Sequence, residues 1–169
     1  MIGLVIVSHS AKLAEGVCEL VNQMTQGRLP LAAAGGLDDP DHPIGTDAFR
    51  VQEAIESVYS DDGVVVLMDL GSALLSAETA LEFMDEAQQA HIRLCEAPLV
   101  EGAVAAAVQA LNTTDIELVL AEARGALTAK SAQLRDVAGA ASPPASAAVE
   151  AAGAELRLTV INPHGLHAR

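Results

Sequence analysis

The sequence predicts an α/β domain: an open, mostly parallel sheet with helices on both faces. Two short, fully apolar runs, LVIV at 4–7 and VVVLM at 64–68, alternate with longer stretches of helical periodicity. Both runs lead into a polar residue followed by a helix start, the pattern of inner strands in a sheet covered on both sides. The composition is 51% apolar with only two Phe and one Tyr, so the core is aliphatic and alanine-rich, which suits helices packed on a sheet.

The elements follow in order. After the first strand, Leu13, Val17, Leu20, Val21 and Met24 recur at helical spacing. LPLAAA (29–34) is a second strand, closed by Gly35-Gly36, and LDDPDHPIGTD (37–47) is a polar loop long enough to be functional. Thr46 is placed to cap a helix with Val51, Ile55 and Val58 on one face. VVVLMD (64–69) is the clearest strand, and Ser72 is placed to cap the helix after it, with Leu74, Leu81 and Met84 inward. IRLCEA (92–97) reads as the fourth strand, ended by Pro98, and 100–111 as a short helix. Thr114 to Glu117 matches a capping box opening one long helix with Ile116, Leu120, Ala123 and Leu127. Four strand–helix repeats imply parallel strands joined by right-handed crossovers. Three spans are expected: an α/β domain over 1–134, an Ala/Ser/Pro-rich linker over 135–153, and the truncated start of a second domain over 154–169, where ELRLTVIN alternates at period two.

Charge and cysteine usage exclude several function classes. A net charge of −14 argues against nucleic acid and anionic membranes and suits a partner with a basic patch. No apolar run approaches the roughly 18 residues of a membrane span, and no basic segment precedes the first apolar run as in a signal peptide. Cys18 and Cys95 lie far apart in apolar segments and read as buried reduced thiols, which fits a cytosolic protein.

In an open parallel sheet, chemistry gathers outside the carboxyl ends of the strands. His9 follows LVIVS and Asp69 follows VVVLM, so both are expected on that edge, beside the switch point if strands one and three are neighbours. A neutral imidazole there is a nucleophile, and a nearby carboxylate holds its tautomer and stabilises the cation formed on attack at phosphorus. Free N–H groups at the next helix, with the Ser10 or Ser72 hydroxyl, suit phosphate oxygens. Spacing alone leaves open the plainer alternative of a turn histidine and a helix-capping aspartate. No metal site is expected: His164 and His167 have HxxH spacing but no cysteine or carboxylate cluster nearby. Nor is a nucleotide cofactor, since AAAGGLDDP lacks the Lys-Ser/Thr of a P-loop and no GxGxxG occurs. His42 and His91 read as solvated surface, and Glu101 as a first-turn helix carboxylate.

LVIVSHS, AAGGLDDPDHPIGTDA, VVVLMDLGSALLSAETALE and RLCEAPLVEGAVAA closely resemble the DhaM family, the phosphotransfer subunits of phosphoenolpyruvate-dependent dihydroxyacetone kinases, over about residues 1–130. Their first domain is similar to the enzyme IIA of mannose-type phosphotransferase systems. The terminal NPHGLHAR resembles the active-site signature of the phosphocarrier HPr. The resemblance implies a cytoplasmic phosphohistidine carrier with no cofactor. It implies that His9 carries phosphate, expected on its tele nitrogen; from their places at the strand end and helix start, Asp69 is expected to orient the ring and Ser72 to contact the phosphate. His167 and Arg169 match the HPr phosphohistidine and its arginine; this second site is expected to be inert without its fold. The implied partners are an HPr-type carrier upstream, the ADP-loaded subunit DhaL and the subunit DhaK downstream, and a second copy in a homodimer. Two rivals remain from other classes. One is a regulatory module that senses phosphorylation without relaying it. The other is a flavin binder, disfavoured because Phe49, Tyr59 and Phe83 all fall on helix patterns.

Overall fold

The computed structural model describes residues 1–139. Four strands, β1 (Gly3–Ser8), β2 (Leu31–Gly35), β3 (Val64–Met68) and β4 (Ile92–Cys95), form one parallel sheet in the order β2-β1-β3-β4. Ile6 of β1 aligns with Ala33 of β2 on one side and Leu67 of β3 on the other. The first and third strands are therefore neighbours, a point the sequence left open, and the order reverses direction there. Among the described residues, seven helices accompany the strands: α1 (Ala11–Thr25), α2 (Ala48–Val58), α3 (Gly71–Glu82), α4 (Glu86–Gln89), α5 (Leu99–Ala110), α6 (Ile116–Gly125) and α7 (Leu127–Gly139).

The reversal explains why both faces are covered. A crossover of constant hand that first moves outward and then back over β1 must change faces. Accordingly, Ile2, Leu4, Ile6, Val65 and Leu67 pack with α1, α5 and α6. Val5, Val7, Val64 and Val66 pack with α2 and α3 on the other face. Alternate residues of β1 thus enter two different cores, so the strand reads as a continuous apolar run.

Alanine decides how closely the helices sit. Helix α3 buries Ala73, Ala77 and Ala80, and α5 buries Ala103, Ala106, Ala107 and Ala110. This corrects the expected inward face of α3: Met84 is buried, but Leu74 is exposed and Leu81 only half-buried. On α1 the inner stripe is Ala14, Val17, Val21 and Thr25, while Leu13, Leu20 and Met24 face outward. Both stripes share helical spacing, and periodicity cannot choose between them; the close approach of helix to sheet selects the one with smaller side chains.

Three helix starts differ from expectation. Asp47, not Thr46, caps α2, its carboxylate accepting from the Phe49 and Arg50 N–H groups at 2.8 and 3.4 Å. Asp115, not Thr114, caps α6. Leu70 is the cap residue of α3, with no side-chain hydrogen bond, and Ser72 lies one residue inside the helix. The single long helix expected after Thr114 is two, α6 and α7, divided around Ala126, and Leu127 faces solvent. Helix α7 runs to Gly139, so its last five residues fall in the span read as linker. The remainder of that span, and residues 154–169 with His164, His167 and Arg169, lie outside the described residues.

Candidate functional site

The site is built on the carboxyl ends of β1 and β3. Ser8 closes β1, His9 follows it, and Ser10 caps α1 by accepting from the Leu13 N–H. That turn is pressed against the end of β2. A Cβ on Gly35 would lie 2.9 Å from the Ser8 carbonyl oxygen and 3.0 Å from that of Ser10. Gly36 follows with φ +71°, a left-handed conformation open to glycine at little cost, and its N–H donates to the Ser8 carbonyl. The paired glycines thus hold the histidine turn by close backbone approach. Gly35→Val is expected to lower the thermal midpoint and broaden the amide resonances of Ser8 to Ala11; an unchanged midpoint contradicts this account.

Asp69 is the hub. Its Oδ2 accepts from the Ser8 hydroxyl at 2.8 Å and the His9 N–H at 2.9 Å. Its Oδ1 accepts from His9 Nδ1 at 2.8 Å and the Leu70 N–H at 2.7 Å. Burial by itself pushes this carboxyl up. The hydrogen bonds from the His9 backbone, the Ser8 hydroxyl, the His9 ring and the Leu70 backbone outweigh burial, and the net shift is below the ordinary value of 3.8. Because an ionised carboxylate only accepts, Nδ1 carries a proton, so in the neutral ring the lone pair lies on Nε2. Nε2 in turn meets the Ser72 hydroxyl on the first turn of α3. The Ser72 hydroxyl, the one partner of Nε2 among the described residues, is exposed and therefore displaceable.

The structure brings together the three first-domain residues singled out from the sequence: His9, Asp69 and Ser72. Asp69 is not the cap residue of α3, and three of its four accepted hydrogen bonds come from Ser8 and His9. Ser10 is engaged in capping. His42 lies on the exposed loop beside Asp39, and Glu101 pairs with Lys130 at 2.6 Å. Two side-chain contacts around the site have no counterpart in the sequence reading. Ser8 is fully buried and bonds Asp69, and Thr46 bonds Ser76 at 2.8 Å across from the site. Ser8 had a signal, a hydroxyl at the end of a strand buried on both faces, where an unpartnered polar group is costly. Thr46 had none, because its partner is set by tertiary contact. Among the described residues, no group of three or more His, Cys, Asp or Glu is placed to hold a metal ion, and no helix is long and apolar enough to cross a membrane.

The family model described as "PTS system fructose IIA component" matches residues 3–120. The phosphoryl donor subunit DhaM of the PEP-dependent dihydroxyacetone kinase from Pantoea ananatis is 53% identical over the whole chain, which spans only 36% of that relative's length. The chain therefore spans about a third of the longer curated relatives that it matches. The DhaM of dihydroxyacetone kinase 2 from Listeria innocua is shorter: it is 38% identical, and the match covers 72% of this chain and 96% of that one. Among solved structures, the unknown-function protein EF1359 superposes with a TM-score of 0.65 at 36% identity, over 73% of this chain and 92% of that one. An EIIA phosphotransferase component from Streptococcus agalactiae shares the fold, with a TM-score of 0.55 at 15% identity over 75% of this chain and 92% of that one. Model and relatives agree on one assignment: the chain belongs to the EIIA-man family, the PTS system fructose IIA components, and within it to the DhaM group.

Proposed function

We propose that this chain is the phosphohistidine carrier of a phosphoenolpyruvate-dependent dihydroxyacetone kinase, acting in the cytoplasm, with His9 Nε2 as the atom that bears phosphate. One observation carries the reading. Asp69 occupies Nδ1 and leaves Nε2 with its lone pair outward at the carboxyl edge of the sheet. The names of the relatives, phosphoryl donor subunits of such kinases, support the substrate class.

The chemistry balances as follows. The Nε2 lone pair attacks the phosphorus of an upstream HPr-type phosphohistidine, and the donor's P–N bond breaks with its electron pair returning to the donor ring. His9 becomes a cationic phosphoimidazole, whose Nδ1–H remains bonded to ionised Asp69. Phosphate enters where the Ser72 hydroxyl now sits, so that hydroxyl turns from Nε2 to a phosphoryl oxygen, beside the first N–H groups of α3. In the second half-reaction an oxygen of ADP on the subunit DhaL attacks phosphorus, and the P–N electron pair returns to Nε2. The ATP so formed serves phosphorylation of dihydroxyacetone on DhaK. The carrier domain comprises residues 1–134, followed by the linker 135–153 and the HPr-like start at 154–169.

The test is incubation with phosphoenolpyruvate, enzyme I and HPr, followed by alkaline mass spectrometry and then addition of ADP-loaded DhaL. Label on His9 that discharges to ADP supports the proposal. Label that stays favours the regulatory rival, and an unlabelled His9 refutes both.

The carrier works as a homodimer in this reading. Leu13, Leu20 and Met24 are 44%, 48% and 59% exposed and lie along one stripe of α1, an apolar strip that the monomer leaves uncovered. Leu20→Asp is expected to convert the protein from dimer to monomer in light scattering at micromolar concentration. A wild-type monomer, or a variant that stays dimeric, contradicts the assignment of this face.

A further inference from the structure

The three residues Gly45, Thr46 and Asp47 end the polar loop, and the first two reach different parts of the site. The Gly45 N–H donates to the His9 carbonyl at 2.9 Å. Thr46 Oγ1 lies 2.8 Å from Ser76 Oγ and 3.4 Å from the Ser72 carbonyl oxygen. Asp47 caps α2. Thr46 has a single hydroxyl proton, and a carbonyl can only accept. One arrangement satisfies both contacts: Ser76 donates to Thr46, and Thr46 donates to the Ser72 carbonyl.

We infer that Thr46 is a positioning residue, which fixes the first turn of α3 so that the Ser72 hydroxyl stands at His9 Nε2. The inference rests on the functional reading above and names a further residue within it. His9 hangs on β1 and Ser72 on α3, more than sixty residues later in sequence. Leu70, at the cap position of α3, supplies no side-chain hydrogen bond to hold that first turn. Through Gly45 and Thr46 the loop spans the two elements, holding the backbone of His9 at one residue and that of Ser72 at the next. Sub-ångström placement matters here, because the hydroxyl must meet Nε2 in the free state and a phosphoryl oxygen in the charged state.

The experiment compares the full chain with Thr46→Val, Thr46→Ser, Ser72→Ala and the double variant Thr46→Val/Ser72→Ala. Phosphorylation of His9 is followed at saturating phospho-HPr, and the ¹⁵N shifts of the His9 ring are recorded on unphosphorylated protein. Thr46→Val is expected to slow phosphorylation about threefold to tenfold, the rate equivalent of one net hydrogen bond. It should also move the Nε2 resonance in the same direction as Ser72→Ala. Thr46→Ser, which keeps the hydroxyl, should restore both. In the Ser72→Ala background the added Thr46→Val change should have little further effect, as expected when one residue acts through the other. A labelled wild type with Thr46→Val unchanged in rate and Nε2 shift overturns this inference alone. Full additivity in the double variant also overturns it, since Thr46 would then act independently of Ser72. Folding of each variant is checked by its amide spectrum, and if Thr46→Val is unfolded, Ser76→Ala, which removes the donor to Thr46, takes its place with the same expected signs. A wild type that accepts no label at His9 overturns the functional reading and this inference with it.

Discussion

His9→Gln is expected to abolish phosphate acceptance from phospho-HPr and delivery to ADP, with a loss limited only by the detection of the assay, while the amide spectrum and thermal midpoint are expected to stay close to wild type. The substitution removes the one nucleophilic lone pair at the site but leaves the core untouched, because the His9 ring lies at the strand end outside both hydrophobic clusters. A glutamine amide can still donate to Asp69, so the carboxylate keeps a partner at that position. The measurement is radiolabel transfer in the reconstituted relay, with the far-ultraviolet circular dichroism of the same sample. Residual transfer above about one percent of wild type would assign the phosphate to a different residue.

The second large effect is at Asp69. Asp69→Asn is expected to slow transfer by up to roughly 10,000-fold, the loss when an aspartate that orients a catalytic imidazole gives up its charge. The reason lies in the donor count. Asp69 accepts four hydrogen bonds on two oxygens, and an asparagine can accept only on one. Its NH₂ group would face two donors, and the His9 ring would be free to take the other tautomer, with its proton on Nε2. The cation formed when phosphorus is attacked would also lose its counter-charge. A variant within threefold of wild type would remove Asp69 from the mechanism.

The same carboxylate makes stability depend on pH in a defined direction. Its folded-state value lies below the ordinary 3.8. The stabilisation from its hydrogen bonds is therefore complete above the unfolded value and is lost as pH falls through the lower folded value. Acid titration followed by circular dichroism should show wild type losing stability below about pH 4, with a smaller loss in Asp69→Asn over the same window. Equal slopes for the two proteins would show that the Asp69 network contributes no pH dependence.

Much of the fold and site was legible in the sequence by itself. β1 and β3 were readable because strands covered on both faces carry apolar residues at consecutive positions, and α1 and α2 because their periodicity spans several turns. His9 and Asp69 stood out because a polar residue directly after such a run must lie at a strand end, where parallel sheets gather their ligands. Tertiary structure alone decided the rest. Which stripe of α1 and α3 faces inward depended on how near the sheet allows a helix to come, and alanines let it come close. The cap positions of α2 and α6 fell to Asp47 and Asp115 rather than the neighbouring threonines, since adjacent polar residues compete and backbone geometry chooses. Ser72 left the capping position for the histidine, and Ser8 and Thr46 found partners far along the chain. These hydrogen bonds link segments that only the sheet order β2-β1-β3-β4 brings together, and no local pattern in a sequence encodes a contact between such distant residues.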